Sequence, residues 1–178
     1  MSLPLIDSVG IYKKADQLVQ RYGTRNTLTL ARENGIRVIE TDHLQNLLGM
    51  YTFRWQQRVM LLNNRMDEYL TQMVAGHEMG HDIYHRNLAK GKGLQEFELF
   101  RMHNTTEYVA NAFAAHVLID TDECLEYARN GYDVVHIAKA MNSEINLMLI
   151  KLQELIRLGY NLRLPAEPRS DFFKNIHV

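Results

Sequence analysis

Apolar and polar positions along this chain repeat with two periods, and the switches between them mark its elements. From Ser8 to Tyr22, the residues Ile11, Ala15, Leu18, Val19 and Tyr22 recur at three- and four-residue intervals, which predicts a helix with one buried face. A shorter helix fits 26–34, stopped by Gly35. The period then falls to two. IRVIE (36–40) reads as a strand, and MYTFRW (50–55) with RVMLLN (58–63) reads as a hairpin split at Gln56 and Gln57. In its first arm Tyr51, Phe53 and Trp55 alternate with Met50, Thr52 and Arg54, as a strand with one buried face requires. From Met66 to His85 the helical period returns, with Leu70, Met73, Val74, His77, His81 and Tyr84 on one face. Residues 87–103 form a looser connection in which LQEFELF (94–100) is a candidate strand. Helices follow over 105–118, 121–130, 133–141 and 143–158, and the proline-bearing tail 165–178 is expected to be irregular. The pattern predicts an α+β fold, mostly helical, with a small sheet on its N-terminal side and one domain spanning 1–178.

Composition narrows the function classes. At 178 residues, 46% hydrophobic and 23% charged, the chain is an ordinary globular protein able to bury a core without a metal or disulfide. Its 20 Lys and Arg against 21 Asp and Glu argue against a main task of coating nucleic acid or an acidic membrane. One cysteine, Cys124, cannot form an internal disulfide and suits a reducing cytoplasm. The opening MSLPLIDSVGIYKK lacks a basic segment followed by an apolar run, and no apolar stretch approaches the ~18 residues that cross a bilayer. A cytoplasmic protein is expected. Three of the eight histidines, His77, His81 and His85, fall within nine residues.

His77-Glu78-Met79-Gly80-His81 is an H-E-x-x-H on a predicted helix. Two histidines four apart lie one turn above the other, so their rings can converge on one ion. Glu78 adjoins the first of them, and its carboxylate can take the proton of a metal-activated water without being a ligand. The bland alternative is a pair of core histidines satisfied by hydrogen bonds. A catalytic zinc takes a third protein ligand, for which Glu107 at the start of the next helix is the first candidate. That glutamate could equally serve the helix dipole, and His103 and His116 are rival ligands. Asn111, four residues beyond Glu107, could bond the free nitrogen of a liganding histidine. Tyr84, His85, His103, Tyr108 and His116 are candidates for a proton donor or oxyanion stabiliser, and the sequence does not choose among them.

GHEMGHDIYH (76–85) followed by EYVANAFAAHVL (107–118) resembles the ImmA/IrrE metallopeptidases, whose pattern is H-E-x-G-H-x-x-x-H and then E-x-x-A-N-x-F-A. Gly80, Ala110, Asn111, Phe113 and Ala114 all match, and the likeness extends more weakly upstream to LLGMYT (47–52). The chain departs from the family at Ile119-Asp120, where members often carry a short apolar run and proline. The resemblance implies a zincin-like helix, zinc held by His77, His81 and Glu107, Glu78 as general base, and His85 in the metal's surroundings. It also implies a narrow-specificity endopeptidase whose partner is a transcriptional repressor of a mobile element or stress response. A rival from another class is a zinc-supported regulator that binds a partner protein without cutting it.

Residues 133–163 have the outline of a helix-turn-helix. The second helix offers Lys151 and Arg157 against Glu144 and Glu154, with a broad apolar stripe from Ile145 to Ile156. Reading phosphates needs a surplus of positive charge, so a packing helix is expected, with no direct nucleic-acid binding. An edge of the 50–63 hairpin left open beside the metal would let an extended substrate pair with it.

Overall fold

The computed structural model of the protein describes residues 6–90, 94–96 and 105–162. Helix α1 (Ser8–Tyr22) starts where the Asp7 carboxylate accepts the Gly10 N–H, and it ends at Gly23, whose φ of 64° is left-handed. Asn26 caps α2 (Thr27–Glu33) in the same way, and the chain turns at Gly35 into β1 (Arg37–Thr41). Strands β2 (Gly49–Arg54) and β3 (Gln57–Asn63) are joined by Trp55 and Gln56, with φ of 48° and 60°. Positive φ at both central residues gives the mirror-image turn whose twist matches antiparallel strands. The turn therefore sits one residue earlier than the sequence predicts. It carries Trp55 out of the strand: the indole is 89% exposed, while Tyr51 is fully buried.

The four-stranded sheet has the order β1-β3-β2-β4, with β1 parallel to β3 and β2 antiparallel to both its neighbours. Strand β4 (Leu94–Glu96) pairs with Gly49, Met50 and Tyr51, and the Phe53 N–H donates to the Ala89 carbonyl. The outer edge of the hairpin is thus occupied over Gly49–Tyr51, which removes there the condition on which substrate pairing depended. The rest of the candidate strand (97–100), His103 and the tail 165–178 lie outside the described residues.

Acidic caps open most of the remaining helices: Asp67 for α3 (Glu68–Tyr84), Asp120 for α5 (Thr121–Arg129), Asp133 for α6 (Val134–Ala140) and Glu144 for α7 (Ile145–Arg157). Helix α4 (Thr105–Leu118) lies between α3 and both α1 and α7. Helix α3 is enclosed, with α4 and α2 packed on it and β2 and β3 against it. Every residue from Met73 to Asp82 is buried, so the single apolar face expected of it widens to the whole circumference. Met60, Leu62, Val74, Phe113, Met148, Leu152 and Leu155 meet in one core. Among the described residues no helix is long and apolar enough to cross a membrane.

Candidate metal centre

His77 and His81 lie on adjacent turns of α3 with their Nε2 atoms 2.9 Å apart. Glu107, in the first turn of α4, brings Oε2 to 3.2 Å from His77 Nε2 and 3.6 Å from His81 Nε2. Donors bound ~2.0–2.1 Å from one tetrahedral ion lie roughly 3.3 Å from each other. The three observed separations bracket that value, so His77, His81 and Glu107 could hold a metal ion. Two imidazoles and a carboxylate are a donor set suited to zinc.

The second nitrogen of each ring is also engaged. His77 Nδ1 lies 2.8 Å from Asn111 Oδ1, and an amide oxygen can only accept, so Nδ1 carries the proton and Nε2 is left bare. His81 Nδ1 lies 3.1 Å from His85 Nδ1. Burial first, then the neighbouring His81, pushes His85 down to about 4, which keeps its ring neutral and able to accept. Burial alone would raise Glu107, but the adjoining His77 and His81 rings outweigh it and hold the carboxyl well below its usual range. A carboxylate must be ionised to bind a metal, and this shift favours the ionised form.

The approach of α4 to α3 depends on small residues. A β-carbon at Gly80 would fall 2.7 Å from Ala110 Cα, and one at Gly76 would fall 3.2 Å from Ala114 Cβ. Two glycines four apart thus face two alanines four apart, and the backbones close far enough for Glu107 to reach the histidines. On its other side α3 is tied to the sheet by the buried Asp82, next in sequence to His81. Its carboxylate accepts the Tyr51 hydroxyl at 2.6 Å, Arg58 Nε at 2.8 Å and Arg58 Nη2. Arg58 also donates to the Asn34 carbonyl at 2.6 Å, and Arg86 lies 3.3 Å from Asp82. Burial alone would raise Asp82, but its bonds to Arg58 and Tyr51 lower it. Sequence reasoning missed this anchor and the small-residue seam. The available signals were an aspartate inside a buried helix and the matching Gly-x-x-x-Gly and Ala-x-x-x-Ala spacings.

Other candidates have different partners. Tyr108, next to Glu107, donates to Glu154 of α7 at 2.6 Å, and Glu154 also bonds Ser8. His116 Nδ1 lies 3.1 Å from the buried Lys151 Nζ, which donates to Thr121 Oγ1 at 2.8 Å. Tyr84 packs its ring on Phe113 and His85. Among the described residues His116 is not part of the His77, His81 and Glu107 group. Lys151 and Glu154, two of the opposing charges that the sequence places on α7, are fully buried within this polar chain.

Residues 31–153 match the protein family described as Peptidase_M78, IrrE N-terminal-like domain. A protein of Bacillus phage phi105, named "Uncharacterized immunity region protein 2", is 25% identical over 122 residues, 68% of this chain and 76% of that protein. No solved structure matches the chain.

Proposed function

The chain belongs to the Peptidase_M78 family of IrrE N-terminal-like domains, and from that premise we propose that it is a zinc-dependent endopeptidase of narrow specificity. Its substrate is a regulatory protein, in this reading a transcriptional repressor of a mobile element or stress response. The immunity-region name of the phage relative supports that choice. The observation that carries the catalytic reading is the convergence of His77 Nε2, His81 Nε2 and Glu107 Oε2, with Glu78 adjoining the first ligand on a buried helix.

His77, His81 and Glu107 would hold the zinc, which would supply Lewis-acid chemistry for a scissile carbonyl and a water. The protein does the rest. Asn111 and His85 hold the Nδ1 side of the two rings, which would leave Nε2 of each available to the ion. Glu78, fully buried, takes the water's proton on its carboxylate and delivers it to the leaving amine. Burial strengthens that exchange, because charges in a dry site interact more strongly than in water.

The test is Glu78→Gln. Purified Glu78→Gln protein retains about one equivalent of zinc by metal analysis, while cleavage of a repressor encoded beside the gene, read by product mass, falls at least ~10³-fold. An active Glu78→Gln protein sinks the mechanism.

A further inference from the structure

Gly49 is the first residue of β2, and there the strand backbone passes close to Glu78. A β-carbon at this position would fall 2.7 Å from Val74 Cγ1, 3.0 Å from Glu78 Oε1 and 3.4 Å from the Leu61 carbonyl oxygen. Non-bonded carbons settle near ~3.5–4.0 Å, so the first contact is a collision and the second displaces the carboxylate. The strand has no room to retreat. Gly49 is paired with Leu62 of β3 on one side and Glu96 of β4 on the other. Val74 and Glu78 are fully buried and stand one turn apart on the face that α3 turns to β2.

We propose that Gly49 is a positioning residue for Glu78. Its missing side chain lets β2 close on α3 and sets the wall against which the carboxylate rests. A side chain at 49 drives the carboxylate off that wall and out of line with the ligand group. The kinetic consequence rests on the peptidase reading above, whereas the steric one does not. The carboxylate has to give by a few tenths of an ångström, a fraction of the ~1 Å misplacement that costs about 100-fold in rate, so a loss of about 3- to 10-fold is expected.

Gly49→Ala alone mixes two collisions, and paired variants separate them. Val74→Ala removes Cγ1, so in that background Gly49→Ala recovers most of the lost thermal midpoint and binds a full equivalent of zinc. Its kcat still falls about 3- to 10-fold below that of Val74→Ala, with KM within about twofold. Recovery of kcat together with stability overturns the proposal, because it leaves Gly49 a packing role only. A second arm needs no cleavage. With cobalt(II) in place of zinc, Gly49→Ala alters the visible spectrum in the Val74→Ala background and leaves it unchanged once Glu78→Ala is added. A Gly49→Ala change that survives Glu78→Ala, or no change in either background, also overturns it. A wild-type protein that cleaves nothing defeats the peptidase reading, and the cobalt arm then decides the role of Gly49.

Discussion

His77 and His81 carry the same side chain, yet each has its own partner behind it: an amide for one ring and a third imidazole for the other. Asn111 was legible in the sequence because it lies four residues beyond Glu107, and that spacing puts both on one face of α4. Its bond to His77 Nδ1 gives a direct expectation. Asn111→Ala weakens zinc binding by about 10- to 100-fold, measured by competition with a chromophoric chelator, and an unchanged affinity removes the role. Lys151 shows the opposite case. A lysine in an amphipathic stretch reads as solvated, and only the meeting of α4, α5 and α7 encloses it. Glu154 and His116 were illegible for the same reason, since long-range burial leaves no local trace in the sequence.

At the scale of elements, periodicity located the helices and strands because each amphipathic face has one side to bury. It failed where an element is covered on several sides or where a turn lacks its usual residues. Helix α3 is covered by α4, α2 and the sheet, and the Trp55-Gln56 turn has none of the Asn or Gly that announce mirror-image turns. The seam between α3 and α4 makes a prediction. Gly80→Ala drives a β-carbon into Ala110, costs about 1–3 kcal/mol by overpacking, and weakens zinc binding because Glu107 retreats with α4. Urea unfolding and chelator titration measure the two effects, and full zinc affinity in a destabilised Gly80→Ala protein refutes the link between them. On the sheet side, Asp82→Ala leaves Arg58 and Tyr51 without their carboxylate. A loss of about 3–5 kcal/mol is expected in the same unfolding assay, and a loss below 1 kcal/mol counts against the anchor.

The whole molecule has a pH signature that follows from its buried polar chain. Burial pushes Lys151 down to about 7 and lowers His116 from its ordinary value. The unfolded chain therefore holds more protons on both groups, so stability rises with pH. For Lys151 the stabilisation is complete above its unfolded value near ~10.4 and is lost as pH falls through about 7. For His116 the loss continues as pH falls below its ordinary value of 6.5. From pH ~9 the buried Cys124 thiol, pushed up to about 11 by burial, opposes the climb, and above pH ~10 the buried hydroxyls of Tyr51, Tyr84 and Tyr108, all raised by burial, reverse it. Urea midpoints should climb from pH 7 to 9.5, and Lys151→Met should flatten the climb, a difference on the order of a few kcal/mol. An equal climb in both proteins excludes Lys151 as its source. The hairpin tip has a practical consequence for such measurements. Trp55 is the chain's single tryptophan and stands almost wholly in water. That exposure predicts an emission close to that of free indole in the native state, free quenching by acrylamide and little change on unfolding. Circular dichroism is the better gauge of folding, and a blue shift of that emission reports a molecule settling over the hairpin.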